Sequence, residues 1–554
     1  MPQAKQMPMV RWYDPLQLIR TGMDVAASTL FGRHSDFRLL EALAASGIRV
    51  DEDYANVATD ESLWIDYVAD VGDGWNSTYA IACALAQPNL TLADERGNRH
   101  ETKRGAILVF GGDEVYPVAS RSEYKQRLVA PYECALRNTQ PPNPSVYAVP
   151  GNHDWYDSLV AFTRLFCTRE WFAGWQAKQT RSYFAAKLPR GWWLLGTDVQ
   201  LDSDLDERQI EYFKFVAKAM APKDRVILCN AEPHWIYAQI YGEDDPDYNE
   251  NNLAFLENKV LKRKVAVFLA GDLHHYRRHE AGDGTQKITA GGGGAFLHPT
   301  HGPDVSTLAN GNFKLKQSFP DPGTSKSLSW RNLLFLFSNP LFGIVSGLLY
   351  MLTAWSVMVD LTGYGLGQFG QALRVAFNAA LNSSVAAFWV VTVFLGFWLF
   401  TDTHSRAYRV VAGTVHGLTH LLAVFLIGWG ATRLAVVMGP PFHSTPQLLL
   451  SGVLILIAGW IVGSVIMGIY LLISINVFGR HSNEAFSSLA IEDWKNFVRM
   501  KIDPQGNLTL YPVGIRRVPR KWKGRDGGVG PEIVSADPRA TGPELIESPV
   551  LIRK

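Results

Sequence analysis

Short apolar runs recur along residues 63–270 and alternate with stretches of helical pattern. They lie at 63–69, 106–110, 146–149, 192–195, 225–229 and 265–270. Their length and their content of Val, Ile, Leu and aromatic residues are typical of buried strands, and a helical stretch at 77–87 follows the first run. Strands that alternate with helices indicate an α/β fold, in which functional side chains follow the carboxyl ends of the strands. We therefore predict an α/β domain with its site at those ends.

The apolar runs become longer after residue 330. Four of them, at 340–358, 385–400, 410–437 and 448–475, have about the twenty residues that a helix needs to cross a bilayer. Ser338-Asn339-Pro340 supplies a cap and a first-turn proline for the first run. Four such runs in succession expose more apolar surface than a soluble domain can bury. We therefore predict an all-α domain of four transmembrane helices.

Basic residues are unevenly divided among the segments that connect these runs. They fall before the first run, between the second and the third, and after the fourth: Lys326, Arg331, Arg406, Arg409 and Arg480. The connection at 439–446 contains neither Lys nor Arg. Because short cytoplasmic segments are rich in Lys and Arg, this predicts a multi-pass protein of the inner or plasma membrane. The α/β domain and both termini would lie in the cytoplasm.

Composition agrees with that location. The 554 residues carry a formal net charge of +1, which argues against a nucleic-acid partner bound through overall charge. The four cysteines are spread along the chain without a CxxC pair, at Cys83, Cys134, Cys167 and Cys229. We interpret them as reduced core residues. Arg11, Asp14 and Arg20 interrupt any apolar run near the N-terminus, so no signal peptide is expected.

These patterns divide the chain into six predicted segments. Residues 1–60 form a helical segment, for which packing on the soluble domain is favoured over a helix lying on the membrane surface. The α/β domain occupies 61–301 and the membrane domain 338–478, joined by a linker at 302–337 that is rich in Pro, Gly, Ser and Lys. Residues 479–525 are expected to dock on the soluble domain as a helix (487–500) and a strand (507–515), and 526–554 to be disordered.

Three of the predicted strands end in Gly followed by a potential metal ligand. The motifs are Gly112-Asp113, Gly151-Asn152-His153-Asp154 and Gly271-Asp272-Leu273-His274. Carboxylate, amide and imidazole groups on tight turns after strands suit a site that binds metal and transfers protons. One such turn would be unremarkable on a protein surface, whereas three in one domain predict a metal site.

The order of these motifs resembles that of the calcineurin-like metallophosphoesterase superfamily, whose pattern is D-x-H, G-D, G-N-H-D/E, a lone His and G-H-x-H. The resemblance covers 63–301. It implies a four-layer metallophosphoesterase sandwich of the α/β (α+β) class and two metal ions, divalent or of mixed valence (Mn, Fe, Zn or Mg). It also implies that Asp113 bridges the metals, that His153 protonates the leaving group, and that Asp154 holds His153.

The chain departs from the family pattern in its first motif. Gly72 stands where D-x-H has its His, so Asp70 is one candidate ligand and Asp73 its rival. Purple acid phosphatases also lack that His and use G-D-x-x-Y, which Gly112-Asp113-Glu114-Val115-Tyr116 resembles. Tyr116 would then be a ligand favouring a hard metal; the alternative is that it only packs beside the site.

Two further departures concern the remaining ligands. Ala231 takes the place of the lone His in Asn230-Ala231-Glu232-Pro233-His234, where Glu232, His234 or Asn230 would have to supply a ligand instead. Asp272 stands where G-H-x-H has its first His, which hardens the site. The resemblance thus implies one metal held by Asp70 or Asp73 with Tyr116 and His274, and another by Asn152 and Asp272.

Together with the apolar runs, the resemblance implies a membrane-anchored, metal-dependent phosphoesterase. Its substrate would be a phosphate ester, with a lipid phosphate as one candidate because the basic stretch 516–525 suits anionic headgroups. The alternative is a membrane sensor or scaffold whose phosphoesterase fold is catalytically weakened, as Gly72 and Ala231 suggest. His416 and His420 lie one turn apart in the third apolar run; hydrogen bonding across helices is favoured for them over binding metal or haem.

Overall fold

The structure is a computed structural model that describes residues 5–27, 50–56, 61–136, 144–168, 171–199, 204–242, 248–309, 311–358, 361, 363–401, 405–525 and 530–554. The chain forms two compact units. One, which we call the sandwich unit, comprises Met1–Val10, Arg20–Ser325 and Ala490–Lys554; the other, the helical unit, comprises Arg11–Ile19 and Lys326–Leu489. The sandwich unit is therefore built from sequence on both sides of the long apolar helices.

Two large sheets form the centre of the sandwich unit. In chain order the described strands are β1 (Glu52–Asp53), β2 (Leu63–Val68), β3 (Asn89–Ala93), β4 (Arg99–Lys103), β5 (Ile107–Phe110), β6 (Ser145–Ala148), β7 (Trp171–Phe172), β8 (Trp175–Ala177), β9 (Phe184–Leu188), β10 (Trp192–Gly196), β11 (Arg225–Cys229), β12 (Lys264–Ala270), β13 (Tyr276–Ala281), β14 (Gln286–Ala290), β15 (Thr307–Leu308), β16 (Phe313–Phe319), β17 (Lys495–Ile502), β18 (Leu508–Ile515), β19 (Trp522–Gly524), β20 (Ile533–Ser535), β21 (Glu544–Leu545) and β22 (Val550–Ile552).

The first sheet has the strand order β1-β9-β10-β11-β12-β14-β13-β16-β15, and the second β21-β18-β17-β2-β5-β6-β8-β7, with β22 also pairing with β18. Within the second sheet β2, β5 and β6 are parallel neighbours, so their carboxyl ends lie at one edge of that sheet. Strands β11 and β12 are parallel in the first sheet.

The described helices are listed here in chain order. They are α1 (Pro15–Ala27), α2 (Trp75–Ala86), α3 (Arg121–Glu123), α4 (Ala130–Leu136), α5 (Asn152–Trp155), α6 (Val160–Phe166), α7 (Glu207–Ala219), α8 (His234–Tyr241), α9 (Asn251–Phe255), α10 (Pro322–Ser329), α11 (Phe335–Ser338), α12 (Pro340–Met358), α13 (Gly363–Gly367), α14 (Phe369–Asn382), α15 (Ser384–Phe400), α16 (Arg406–Val437), α17 (Thr445–Phe478) and α18 (Ser482–Ser487). Single turns of other helix types lie at Tyr124–Val129, Pro189–Gly191, Leu256–Leu261 and Trp330–Leu334.

Three apolar cores separate the layers of the sandwich unit. The central core lies between the sheets, where Ile65 and Tyr67 of β2 pack with Leu194 of β10 and Ile227 of β11. A second core joins the outer face of the β2 sheet to α2 and α4, and a third joins the other sheet to α7. Successive side chains of each strand point to opposite faces of the sheet, and both faces are buried. This explains why the runs in the sequence are continuously apolar. The predicted four-layer sandwich with an additional all-α region is confirmed.

The helical unit contains three helices that are long and apolar enough to cross a membrane, namely α12, α16 and α17. The predicted span 385–400 falls in α15, which is shorter and joins α14 at a bend of 97°. The described part of the chain therefore has three candidate spans, or four if α14 and α15 together count as one. A Cβ on Gly347 of α12 would lie 2.5 Å from the Leu456 carbonyl oxygen of α17, so glycine permits this close helix contact.

Three segments have a structure that differs from the one predicted from the sequence. The linker 302–337 contains β15, β16 and α10, and β16 pairs with β13 in the first sheet. Residues 487–500 do not form a helix, because Phe497, Val498 and Met500 of β17 are all buried and pair antiparallel with β2. The tail predicted to be disordered is ordered over 530–554: β21 and β22 pair with β18, and Ile546 and Ile552 enter the central core.

The N-terminal helix α1 exposes most of its apolar side chains. Leu16, Ile19 and Met23 are each at least 60% exposed and lie three and four residues apart, hence on one face. Most of the predicted helical segment 1–60 lies outside the described residues. Exposed apolar side chains on one helix face are typical of a surface that binds a membrane or another protein.

Candidate functional site

The candidate site lies where four strands end. Asp70 follows β2, Asp113 follows β5, Asn152 and His153 follow β6, and Asp272 follows β12. Three of these residues have left-handed backbone conformations, with φ of 56° at Asp70, 51° at Asp113 and 65° at Asp272. Residues other than Gly adopt this conformation at a cost of about 1–2 kcal/mol, and such conformations cluster at functional sites. The backbone therefore turns sharply at each strand end and brings the carboxylates together.

Glycines allow the turns to approach each other. A Cβ on Gly151 would lie 2.1 Å from Asp113 Oδ1, and one on Gly271 would lie 2.6 Å from Asp70 Oδ2. Because real Cβ atoms do not approach this closely, the glycine that precedes the ligand motif is a packing requirement at both positions. The same holds for Gly291, whose Cβ would lie 2.3 Å from Asp70 Oδ2. The glycine run at 291–294 thus packs directly against the first motif.

Three side chains lie within hydrogen-bond distance of the Tyr116 hydroxyl and form a group of four with it. Its oxygen lies 2.9 Å from Asp70 Oδ1, 3.1 Å from Asp113 Oδ2 and 3.0 Å from His274 Nε2. His274 Nε2 also lies 3.5 Å from Asp70 Oδ1. All four residues are buried. We call this group the Tyr116 cluster; it unites the candidate ligands of the first, second and last motifs.

Burial dominates the electrostatics of this cluster. It raises the pKa of Asp70 and of Asp113 well above the usual range, and repulsion between the neighbouring carboxylates raises both further. It also lowers the pKa of His274. Carboxylates this close cannot all be charged without a cation between them, so the cluster has a strong tendency to take up either protons or a metal ion.

His153 and Asp154 have separate positions. The Nδ1 proton of His153 is donated to the Pro117 carbonyl, 2.6 Å away, and the ring packs on Tyr116 with centroids 4.5 Å apart. Asp154 instead accepts from the backbone N–H groups of Gly151 and Glu114, at 2.9 and 3.2 Å, and from Tyr124. Pro117 thus orients the imidazole, whereas Asp154 fixes the loop. Burial lowers the pKa of His153 to about 4, so the ring is neutral at pH 7.

The second half of the predicted metal centre is less complete. Asp272 accepts a hydrogen bond from the Tyr237 hydroxyl, and the Asn152 amide donates to the Tyr156 hydroxyl at 3.1 Å. Ala231, which the sequence resemblance aligns with a lone His, is buried, and a Cβ on Gly112 would lie 2.6 Å from the Ala231 Cβ. Ala231 itself therefore offers no ligand to this half.

The other candidate ligands lie apart from the Tyr116 cluster. Asp73 accepts a 2.7 Å hydrogen bond from the backbone N–H of Val10. His234 Nδ1 lies 4.0 Å from Glu232 Oε2, and burial lowers the pKa of His234 to about 4. The side-chain amide of Asn230 donates to the backbone carbonyl of Glu232. These contacts hold the residues in the surrounding loops.

Lys495 and His298 are site residues that the sequence did not reveal. The ring of His298 stacks on that of His274 with centroids 3.9 Å apart. Lys495 is fully buried at the start of β17, donates to the Ala295 carbonyl, and its charge favours ionised Asp70. Burial lowers the pKa of Lys495 to about 8. Nothing near residue 495 in the sequence signals this role, since only strand pairing places it beside the first motif.

Comparisons with known proteins give distant matches. No family profile matches the chain, and no curated protein sequence does. Among solved structures, GAP50, described as the anchor in the inner membrane complex of Plasmodium, aligns over 46% of this chain and 76% of its own with 13% identity and a TM-score of 0.31. The purple acid phosphatase PPD1 from seeds of yellow lupin (Lupinus luteus) aligns over 43% of this chain and 45% of its own, with 16% identity and a TM-score of 0.27.

The two halves of the site differ in the oxygen and nitrogen atoms that they offer to a metal ion. Within the described residues no three His, Cys, Asp or Glu side chains are arranged as a metal centre by themselves. When Tyr116 is included, its hydroxyl oxygen lies 2.9–3.1 Å from one oxygen each of Asp70 and Asp113 and from His274 Nε2, and His274 Nε2 lies 3.5 Å from Asp70 Oδ1. Ligands that share a metal at about 2.1 Å are separated by roughly 3.0–3.4 Å. The Tyr116 cluster therefore offers three oxygen donors and one nitrogen donor suited to one hard cation, and among the described residues the half beside Ala231 offers no such hydrogen-bonded set.

Proposed function

We propose that this protein is a membrane-anchored, metal-dependent phosphoesterase. The observation that carries the proposal is the convergence of Asp70, Asp113, Tyr116 and His274, with His153 packed on Tyr116. These residues would hold one metal ion. A bound metal ion supplies Lewis acidity toward a phosphoryl oxygen and lowers the pKa of water at the site. A second ion would depend on Asp272, Asn152 and Asp113 and would be held more weakly, because Ala231 provides no ligand.

The chain's own residues have distinct roles in this proposal. His153, with its proton on Nδ1 and its lone pair on Nε2, accepts a proton when phosphoryl oxygens beside it stabilise the imidazolium. It then donates that proton to the leaving oxygen. Lys495 adds a positive charge that favours the ionised form of Asp70. Asp154 keeps the loop Gly151–Asn152 in place through two backbone hydrogen bonds.

A second function is favoured by a specific observation. At the position where the resemblance expects a metal-binding His, Ala231 has only a methyl group, and this group packs toward Gly112. Loss of a metal ligand is expected in a protein that keeps the phosphoesterase fold but no longer hydrolyses its ligand. The alternative is therefore a membrane sensor or scaffold that binds a phosphorylated ligand without hydrolysing it.

The test uses the purified full-length chain, stripped of metal and reloaded with Mn, Fe, Zn or Mg. We expect hydrolysis of phosphate esters to depend on the added metal and on His153. Phosphomonoesters and phosphodiesters are assayed both as soluble compounds and, with the same phosphate group, as lipids in mixed micelles. Binding of these esters without turnover under any metal would overturn the enzyme proposal and favour the sensor.

We further propose that the substrate is a lipid phosphate. Arg517, Lys521 and Lys523 are exposed, whereas Arg516 and Arg520 of the same stretch form ion pairs with Glu544 and Asp493. Replacing the three exposed residues by Gln should lower turnover of the micellar lipid by up to about a hundredfold, since each basic residue near an anionic surface contributes about 1 kcal/mol. Turnover of the soluble ester is the internal control. Equal rates on both substrates, unchanged in the variant, would contradict the lipid proposal.

The proposed location places the sandwich unit and both termini in the cytoplasm. The basic residues that flank the apolar helices motivate it. Reporter fusions after Lys554 and in the exposed turn near Gly311 should both report cytoplasm, and one inserted at 439–444 should report the opposite side. If the reporter near Gly311 is located outside the cytoplasm, the proposed topology is wrong. The interpretation of the four cysteines as reduced would then be wrong as well.

A further inference from the structure

The outer face of the first sheet buries a row of polar side chains on β13 and β14. His275 directly precedes β13, Arg277 and His279 lie on β13, and Thr289 lies on β14; none of the four is more than 5% exposed. Tyr276 packs in the central core, so the side chains of Arg277 and His279 point to the opposite face of the sheet. Thr289 is the antiparallel partner of Arg277 and shares that face.

The stretch 298–305 covers this face. Arg277 Nη2 donates to the Thr300 carbonyl at 3.1 Å, and His279 Nε2 donates to the Val305 carbonyl at 2.7 Å. The Val305 side chain packs in the apolar core on the same side of the sheet. The polar row is therefore enclosed between two strands and a stretch of backbone.

Several polar atoms of the row have no hydrogen-bond partner among the described residues. They are both ring nitrogens of His275, Arg277 Nε, His279 Nδ1 and Thr289 Oγ1. The His298 backbone lies near the His275 ring but completes no hydrogen bond with either nitrogen. Since about 90% or more of buried polar groups in proteins are paired, four neighbouring side chains with unpaired atoms indicate that this face binds a ligand.

The charge of this face is positive and uncompensated. Burial alone shifts the pKa of Arg277, to about 10, so the guanidinium is charged at pH 7 without a carboxylate beside it. The buried Lys287 of β14, by contrast, pairs with Glu250. Arg278, on the other face of β13, pairs with Glu547. A buried charge without a counter-charge is costly, and water could satisfy the hydrogen bonds of Arg277 but not its charge.

The unpaired atoms include three hydrogen-bond donors. Arg277 Nε and the Thr289 hydroxyl each carry a proton, and one nitrogen of neutral His275 carries another. Burial, together with the nearby charge of Arg277, lowers the pKa of His275 and keeps its ring neutral. His279 donates through Nε2 to a carbonyl, so its Nδ1 carries a lone pair and is not a fourth donor. The face thus offers three donors and one net positive charge.

We propose that Arg277, His275 and Thr289 bind a monovalent inorganic anion of halide size, such as chloride. One uncompensated positive charge matches one negative charge, and hydrogen bonds to a charged group are stronger than those between neutral groups. Enclosure beneath the stretch 298–305 selects a small ion over an organic carboxylate or a phosphate ester.

The proposed anion supports the Tyr116 cluster without contacting it. His274 Nδ1 donates to the Phe296 carbonyl at 2.8 Å, and the His298 ring stacks on that of His274. The backbone that continues from His298 is the stretch that covers the anion. A bound anion therefore stabilises the segment that orients His274.

The experiment measures thermal unfolding of the purified full-length protein in detergent, in sodium chloride and in sodium gluconate of equal ionic strength. Gluconate is the control anion, because it is too large for the enclosed face. We expect the unfolding temperature to rise by about 2 °C for each tenfold increase in chloride above its Kd. Crystals grown in sodium bromide should show an anomalous bromide peak within hydrogen-bond distance of Arg277 Nε.

Variants of neighbouring residues locate the effect. Arg277→Gln should abolish the difference between chloride and gluconate, because it removes both the charge and the Nε donor. Arg278→Gln is the matched control: it should lower the unfolding temperature in both salts and keep the chloride dependence. Thr289→Val serves if Arg277→Gln does not fold. It should raise the chloride concentration needed for a given shift by about tenfold, as loss of one hydrogen bond to a charged group predicts.

Three results would overturn the proposal. One is an unfolding temperature of the wild-type protein that is the same in chloride and gluconate at every concentration. Another is a chloride dependence that persists unchanged in Arg277→Gln or, where that variant does not fold, in Thr289→Val. The third is a water molecule, rather than bromide, beside Arg277 Nε in the bromide crystals.

Discussion

Replacing Asp113 by Asn should abolish hydrolysis and reduce the bound metal. Asp113 Oδ2 accepts from the Tyr116 hydroxyl, and Oδ1 accepts the His153 backbone N–H at 2.9 Å, so one carboxylate joins the Tyr116 cluster to the loop that carries His153. An amide removes the negative charge while keeping the shape. We expect kcat/KM to fall by at least about 10³-fold, which corresponds to roughly 4 kcal/mol of transition-state stabilisation. Metal content is measured on the same preparation.

Two variants distinguish the roles within the site. His153→Ala should lose rate and keep its metal, because the ring bonds to Pro117 and packs on Tyr116 without entering the Tyr116 cluster. Asp73→Asn should change neither, because Asp73 bonds to the Val10 backbone. If His153→Ala loses as much metal as Asp113→Asn, or if Asp73→Asn loses metal, the assignment of ligands is wrong.

The second large effect concerns a buried ion pair between strands that are far apart in sequence. Arg499 of β17 donates to both carboxylate oxygens of Asp66 of β2, at 2.7 and 2.9 Å, and both side chains are almost fully buried. Replacing Arg499 by Met leaves the Asp66 charge buried without its partner. Removing one member of such a pair costs about 3–5 kcal/mol. We expect the unfolding temperature of the full chain in detergent to fall by on the order of 5 °C.

The matched control is the exposed pair Lys187–Asp53, whose atoms lie 3.4 Å apart. Lys187→Met should change the free energy of unfolding by less than about 1 kcal/mol, as is usual for surface pairs. The double variant Asp66→Leu with Arg499→Met should recover much of the loss, because it removes both charges. An Arg499→Met protein as stable as wild type would mean that the buried pair does not stabilise the fold.

The sequence predicted the parts of the fold that are local. Strands β2, β5, β6 and β12 and the turns that follow them are encoded by apolar runs and by Gly with a polar residue. Parallel neighbours end at the same edge, so Asp70, Asp113 and Asn152 could be assigned to one site before any coordinates. The long apolar helices were equally evident because their length alone distinguishes them.

The parts that the sequence did not predict depend on distant partners. Residues 495–502 lack the alternation of a half-exposed strand because Phe497, Val498 and Met500 are buried on both faces of β17, which is why the sequence pattern wrongly predicted a helix at 487–500. Their strand conformation comes from pairing with β2, more than four hundred positions earlier, as the Asp66–Arg499 hydrogen bond shows. The pairing of strand β22 and the burial of Lys495 likewise depend on contacts between residues that are far apart in sequence. Local patterns carry no information about such pairings.

The discontinuity of the sandwich unit has a consequence for the order of events during synthesis. When the ribosome has finished β16, strand β2 lacks its β17 neighbour, Asp66 lacks its counter-charge, and Lys495 does not yet exist. The apolar helices are made and released next, and only then does the last stretch emerge to close the sheet. The sandwich unit is therefore completed only after the apolar helices have been synthesised, so a chain that is cut within those helices leaves the β17 side of strand β2 unpaired.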